Sequence, residues 1–179
     1  MSSSVIAAIG RLEEAARAFD RVDLTYPKGT NAVLPANDSD DPDTVALLRR
    51  LRESDLASLE VFYHHAGGIS LPDVGSGLFI HSPAQILREL DRGAPLHLWK
   101  IDGPRVFPFG SDGGGSLFAM GMDAQVLQLT PAAISEGVYA SDPSGDGDGP
   151  KTAVEPHAGL ANACCEKGEL SNTMDALGL

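Results

Sequence analysis

The sequence predicts an α+β fold in which a mostly antiparallel sheet packs against N-terminal and C-terminal helices. Two observations support this class. Segments with helical periodicity come first, and short apolar runs separated by glycine-rich turns follow. Helices that precede a group of strands, instead of alternating with them, are typical of α+β proteins. At 179 residues the chain suits one domain with extensions.

Three helices are predicted before the first strand. Apolar residues recur every three or four positions and would form one face of the first helix: Val5, Ile9, Leu12, Ala16 and Phe19. Residues 20–36 lose this pattern and predict a loop. Asp41 suits an N-cap and Pro42 the first position of a second helix. A third helix is expected to begin at Ser54 or Asp55 and to end at Gly67 and Gly68, since glycine accepts the left-handed conformation.

The second half of the chain predicts short strands around one more helix. Residues 78–80 are apolar and predict a strand, and Ser82 with Pro83 predicts the start of a helix that ends at Gly93. Residues 96–99 and 138–139 predict further strands. Residues 160–165 predict the start of a closing helix.

Residues 106–129 predict a compact β-meander. Apolar runs at 106–109, 117–120 and 126–129 are separated by glycine-containing steps, which supply the backbone freedom that tight hairpins need. We predict a turn at residues 112–115. The structural glycines of this segment are Gly110, Gly113, Gly114 and Gly115.

The meander and an upstream helix together resemble the SUKH superfamily, especially its cell-wall-assembly-regulator branch. The resemblance rests on residues 107–118, on residues 126–129 and 137–139, and on an upstream set: Leu56, Leu59, Phe62, Tyr63, Gly67, Gly68, Leu71 and Pro72. It implies a SUKH-like domain over residues 37–179, preceded by a helical extension at residues 1–36. It implies a protein-binding surface and no catalytic residue.

The chain is acidic, with a formal net charge of −12. This charge argues against binding nucleic acid through its phosphates and against binding anionic membranes. It is compatible with a basic protein partner, although an acidic surface also serves solubility alone. The candidate partner-binding residues are Asp40, Asp41, Asp43, Trp99, Asp112, Asp142 and Asp146.

Motifs for catalysis, metal binding or a cofactor are missing from the sequence. The glycines after Asp112 lack the lysine of a phosphate-binding loop, and the loop that starts at Asp142 has Ala153 where a calcium-binding loop needs glutamate. The five histidines show no metal-ligand spacing, and no nucleophile elbow occurs. We therefore expect no catalytic residue, no metal and no cofactor.

A cytoplasmic location is expected from three features. The chain has no apolar run long enough to span a membrane and no basic, apolar leader at Met1. Its two cysteines, Cys164 and Cys165, are adjacent and do not form a disulfide framework. A reducing compartment suits this cysteine content.

The resemblance predicts an immunity protein that neutralises a cognate bacterial toxin, such as a nuclease. The alternative is a regulatory or scaffold protein of the cell-wall assembly regulator type, without a toxin partner. A small hydrolase or ligand-binding enzyme is a third class, which the missing motifs disfavour.

We predict a flexible acidic insert at residues 141–157, because residues 141–150 contain no apolar side chain. Deleting residues 141–150 should change the melting temperature by no more than about 2 °C, since an unanchored surface loop contributes little to stability. Thermal denaturation followed by circular dichroism measures this change. A larger loss, or stabilisation of the full chain by sub-millimolar calcium, would contradict the prediction.

Overall fold

The computed structural model describes residues 2–21, 25, 27–98, 105–130, 133–135, 137–140 and 151–152. The helices within these residues are α1 (Ser2–Phe19), α2 (Pro42–Glu53), α3 (Ala57–His65) and α4 (Pro83–Asp91). The strands are β1 (Ala32–Pro35), β2 (Ala66–Leu71), β3 (Leu78–Ile80), β4 (His97–Leu98), β5 (Val106–Asp112), β6 (Leu117–Gly121), β7 (Val126–Leu129), β8 (Ala133–Ser135), β9 (Val138–Ala140) and β10 (Lys151–Thr152). The predicted α+β class is confirmed.

Seven strands form one antiparallel sheet in the order β1-β2-β3-β5-β6-β7-β10. Strands β4, β9 and β8 form a small second sheet, in which β4 runs parallel to β9. The predicted meander is confirmed as β5, β6 and β7. Helix α4 and strand β4 lie between β3 and β5 in the chain, yet β3 and β5 are neighbours in the large sheet. The predicted closing helix lies outside the described residues.

The large sheet is buried on two sides by separate apolar clusters. The first cluster joins α1, α2 and α3 to the sheet and is centred on fully buried side chains such as Leu47, Leu59 and Phe62. The second cluster joins β4 and β9 to the opposite face, through Leu98, Leu129 and Tyr139. Alternate residues of a strand point to opposite faces, so the central strands β5 and β6 supply both clusters. Helix α1, which we predicted to be an extension, contributes to the first cluster.

The predicted starts of α2 and α4 are confirmed. The Asp41 carboxylate accepts a hydrogen bond from the Thr44 amide, with Pro42 in the first turn. The Ser82 hydroxyl accepts one from the Gln85 amide, with Pro83 in the first turn. Each cap satisfies an amide that the helix itself leaves without a partner.

Both ends of α3 differ from the predictions. Ser54 ends α2 and does not start α3, and Asp55 takes a positive φ of 55° between the two helices. The chain leaves α3 in an extended conformation at Ala66, where strand β2 begins, so Gly67 and Gly68 lie within β2 instead of capping the helix. Glycine is required there for close packing, because a side chain at position 67 would clash with the Pro35 carbonyl of β1. Strands β1, β2, β8 and β10 were not predicted, and β10 lies within the segment of residues 141–157 that we predicted to be a flexible insert.

The turn between β5 and β6 is organised by Asp112. Its Oδ1 accepts hydrogen bonds from the amides of Gly114 and Ser116, at 3.0 Å and 2.8 Å. The positive φ falls on Gly115, at 88°, where a side chain is costly. Gly113 is required for a different reason, because a Cβ at this position would clash with the Ser76 carbonyl oxygen. Gly110 lies within β5, beside a register shift, and not in the predicted turn.

We expect Gly113→Ala to lower the free energy of unfolding by about 1–3 kcal/mol, which is typical of a side chain forced into occupied space. Gly114→Ala is the matched control. Its Cβ would approach only the Asp112 side chain, at 3.3 Å, and should cost less. Urea denaturation of both variants measures the difference. Equal losses would contradict the assignment of the close approach to Gly113.

Candidate functional site

An acidic turn, residues 38–43, leads into α2. Asp38 and Asp40 are exposed, and Asp43 is half-buried in the first helical turn. None of these three carboxylates takes part in the ion pairs of the described residues, which instead join other acids to arginine or histidine. The turn therefore presents unneutralised negative charge to solvent.

Asp41 holds this turn in one conformation. Its carboxylate accepts from the Thr44 amide at 2.8 Å and from the Asn37 side-chain amide at 3.3 Å. These hydrogen bonds, those of Thr44 first, lower the pKa of Asp41 below its usual value. Asp41 is thus a capping residue, while its neighbours Asp40 and Asp43 remain available for a partner.

None of the other residues that we predicted to bind a partner is described as lying beside this turn. Asp112 is only 8% exposed, and its second oxygen accepts from the Gln128 side-chain amide at 3.3 Å. A carboxylate that is engaged inside the domain argues against a contact role for Asp112. Trp99, Asp142 and Asp146 lie outside the described residues.

The structure also brings together three residues that our sequence reasoning did not connect. The His81 Nδ1 lies 2.8 Å from Glu89 Oε2, and its Nε2 lies 2.8 Å from the Ser111 hydroxyl oxygen. His81 is 6% exposed, whereas the Glu89 and Ser111 side chains are partly exposed. A serine, a histidine and a carboxylate in this order are the groups of an activated nucleophile.

Surrounding groups fix the position of this chain of hydrogen bonds. The His81 amide donates to the Phe109 carbonyl at 2.9 Å, and the Tyr63 hydroxyl donates to the His81 carbonyl at 2.7 Å. Burial, and next the nearby Glu89 carboxylate, raise the pKa of Tyr63 well above its usual value, so the phenol stays protonated as a donor. The Gln85 side-chain amide donates to Glu89 Oε1 at 2.9 Å.

Two different signals would have been needed to find this group from sequence. His81 precedes the Ser82 cap of α4, and Glu89 lies near the end of that helix. Helical spacing brings together residues three or four positions apart, so it does not by itself predict this contact. Ser111 joins them only through the pairing of β3 with β5, which sets Phe79 opposite Ser111. Sheet register between segments separated by a helix is not visible in the sequence.

A small groove lies where α2 and α4 meet the large sheet. It has a volume of about 280 Å³ and is lined in part by Arg50, Leu90, Leu96, Arg105 and Met122. This volume is at the lower limit for a small-molecule site. We assign no ligand to the groove.

Within the described part of the chain, no group of three or more histidine, cysteine, aspartate or glutamate side chains is placed to hold a metal ion. None of the helices found there is both long and apolar enough to cross a membrane.

Comparison with known proteins adds no family assignment. No protein-family model, curated protein or solved structure matches the chain. The SUKH resemblance therefore stays a prediction from the sequence.

We predict that the Asp41 cap makes stability depend on pH. A carboxylate with a lowered folded-state pKa stabilises the fold above its unfolded pKa of about 3.9, and this contribution is lost as the pH falls through the folded pKa. Asp41→Ala should therefore destabilise the protein at pH 6, and its difference from the wild type should shrink towards pH 2. Thermal melts across this range measure the difference.

Asp40→Asn is the matched control, because it removes one charge from the same turn without touching the cap. It should destabilise the protein less than Asp41→Ala at pH 6. An Asp41→Ala difference that is constant from pH 6 to pH 2 would contradict the role of the ionised cap.

Proposed function

We propose that this protein is a protein-binding module that recognises a basic partner, and that it acts as an immunity protein for a cognate bacterial toxin. The observation that carries the proposal is the acidic turn of residues 38–43, which is joined to α2 by the hydrogen bonds of Asp41 and is without ion pairs for Asp38, Asp40 and Asp43 among the described residues. The net charge of −12 and the SUKH resemblance support the same function.

The hydrogen bonds of Asp41 order the turn before a partner binds, and this favours binding. A loop that already has its bound conformation loses little conformational entropy when a partner docks, so more of the interaction energy appears as affinity. Val45, one turn into α2, is 50% exposed and adds an apolar contact beside the carboxylates. Negative charge beside a small apolar group is suited to the cationic surface of a protein that binds nucleic acid.

Co-expression tests the immunity function. The toxic product of a gene adjacent to the one that encodes this chain should be neutralised by the chain and should form a one-to-one complex with it. Relief of growth arrest and size-exclusion chromatography of the pair are the measurements. Without rescue and without a complex, the alternative of a regulatory or scaffold protein of the cell-wall assembly regulator type would be favoured.

The contact surface is tested on the same complex. The triple variant Asp38→Asn, Asp40→Asn, Asp43→Asn should slow association about tenfold at low salt, because long-range attraction speeds encounter and is screened beyond about 10 Å at 0.1 M salt. Stopped-flow or surface plasmon resonance measures the association rate.

The matched control changes the net charge equally at other positions. It combines Glu14→Gln, Asp20→Asn and Asp55→Asn, three exposed residues outside the turn that also take part in no ion pair of the described residues. Exposed charges of this kind contribute little to stability, so both triple variants should fold. An equal slowing in both would show that only net charge matters and would contradict the assignment of the acidic turn.

A further inference from the structure

The hydrogen-bonded chain from Ser111 through His81 to Glu89 has the geometry of a catalytic triad. We propose that Ser111 is a nucleophile, that His81 is its general base, and that Glu89 is the positioning residue that orients His81. We propose further that this group hydrolyses esters of apolar acyl chains.

The order of donors and acceptors supports these roles. An ionised Glu89 carboxylate can only accept, so the proton of a neutral His81 ring lies on Nδ1, directed to Oε2 at 2.8 Å. Nε2 then carries the lone pair and accepts from the Ser111 hydroxyl at 2.8 Å. Both distances lie in the range of about 2.6–3.2 Å required between a nucleophile, its base and the orienting group.

The group is also preorganised. The backbone N–H of His81 donates to the Phe109 carbonyl, and its backbone carbonyl accepts from the Tyr63 hydroxyl. The Gln85 side-chain amide donates to the second oxygen of Glu89. A base that is already aligned needs no costly rearrangement when the reaction begins. Triads are recognised by such geometry and not by sequence order, since the same arrangement recurs on unrelated folds.

The surroundings of Ser111 indicate the class of substrate. Ser111 is half-buried, and its neighbours across the sheet are Phe79 on β3 and Leu117 on β6, both also half-buried. Directly opposed residues of antiparallel strands have Cβ atoms about 4.5–5.5 Å apart. An acyl chain attached to Ser111 would therefore lie against apolar side chains on both sides.

The reaction balances with water as the second substrate. The Ser111 oxygen bonds to the ester carbonyl carbon while its proton passes to His81 Nε2, and the Glu89 carboxylate stabilises the imidazolium. The bond to the leaving alcohol then breaks, and that alcohol takes the proton from His81. Water, deprotonated by His81, attacks the acyl-serine, and Ser111 regains its proton. One ester and one water give one acid and one alcohol, with no redox change.

A catalytic Ser111 goes beyond the proposed function and differs from our expectation from sequence that the chain has no catalytic residue. The tests of Ser111 use the purified protein alone. Their results therefore do not depend on whether a toxin partner exists.

Covalent labelling tests the nucleophile. An alkyl fluorophosphonate should modify the full-length protein once per chain, with loss of fluoride, and mass spectrometry should locate the adduct on Ser111. The protein should also release a burst of nitrophenolate from p-nitrophenyl butyrate. Absence of an adduct on Ser111 in the folded protein would overturn the proposal.

Variants test the separate roles. Ser111→Ala should abolish the adduct, whereas Ser70→Ala, which removes a serine hydroxyl from the nearby strand β2, should leave the adduct unchanged. His81→Gln should slow labelling by about 100-fold or more, which is the contribution typical of a general base. A labelling rate that is unchanged in a folded His81→Gln protein would overturn the assignment of the base.

The role of Glu89 is tested by a measurement that distinguishes the orientation of His81 from the stability of the fold. Glu89→Gln removes the charge but retains an oxygen acceptor, and it should slow labelling about tenfold or more at a similar melting temperature. Glu89→Asp should partly restore the rate. Equal rates in Glu89→Gln and the wild type would overturn the role of Glu89.

A cysteine variant covers the case in which Ser111→Ala fails to fold. Ser111→Cys retains a nucleophile in the same position, and its alkylation by iodoacetamide should be at least about tenfold slower when combined with His81→Gln. Alkylation that is independent of His81 would count against the activated nucleophile.

Discussion

The pairing of strand β3 with strand β5 is the interaction on which the rest of the structure depends. These strands are separated in the chain by α4 and β4, and their register sets Leu78, Phe79 and Ile80 opposite residues of β5. The pairing closes the large sheet between its first strands, β1–β3, and the meander. It also brings His81 against Ser111, thirty residues later, and brings the turn at Gly113 against the Ser76 carbonyl. Packing, turn chemistry and the candidate nucleophile thus follow from one register.

The carboxylates divide into those that build the fold and those that are left for solvent or a partner. Asp73 accepts from the Gly29 amide at 3.0 Å and from the Asn31 side chain at 2.7 Å, and so joins the loop before β1 to the segment after β2. Asp41 caps α2, and Asp112 organises the turn between β5 and β6. These carboxylates satisfy backbone amides that would otherwise lack a partner. The net charge therefore overstates the number of carboxylates that are free to contact a partner, and Asp38 and Asp40 of the acidic turn are among the exposed ones.

The two proposals concern different kinds of recognition in one small domain. The acidic turn is a surface feature, and its effect reaches a partner before contact, through the electrostatic field. The Ser111 group acts only on a molecule in direct contact with it and depends on positions held by the interior of the protein. The absence of a nucleophile motif from the sequence does not bear on this group, because its three members come from strand β5, from the link between β3 and α4, and from α4 itself.

Local chemistry alone determined a large part of this fold. The starts of α2 and α4 follow from a capping side chain followed by proline, and the meander follows from apolar runs separated by glycine-rich turns. These signals act over a few residues, so they can be interpreted without knowing what lies nearby. The acidic turn before α2 was evident for the same reason.

Tertiary structure decided the features that depend on neighbours distant in the chain. Gly67 and Gly68 were expected to end a helix, but they lie in a strand because β1 packs closely against β2. Asp112 was expected at a surface and is instead engaged within its turn, and Ser111 gained a role only when β5 paired with β3. A sequence pattern indicates which backbone conformation each residue favours. Which side chains meet across a sheet depends on register, and register is set by the packing of the whole domain.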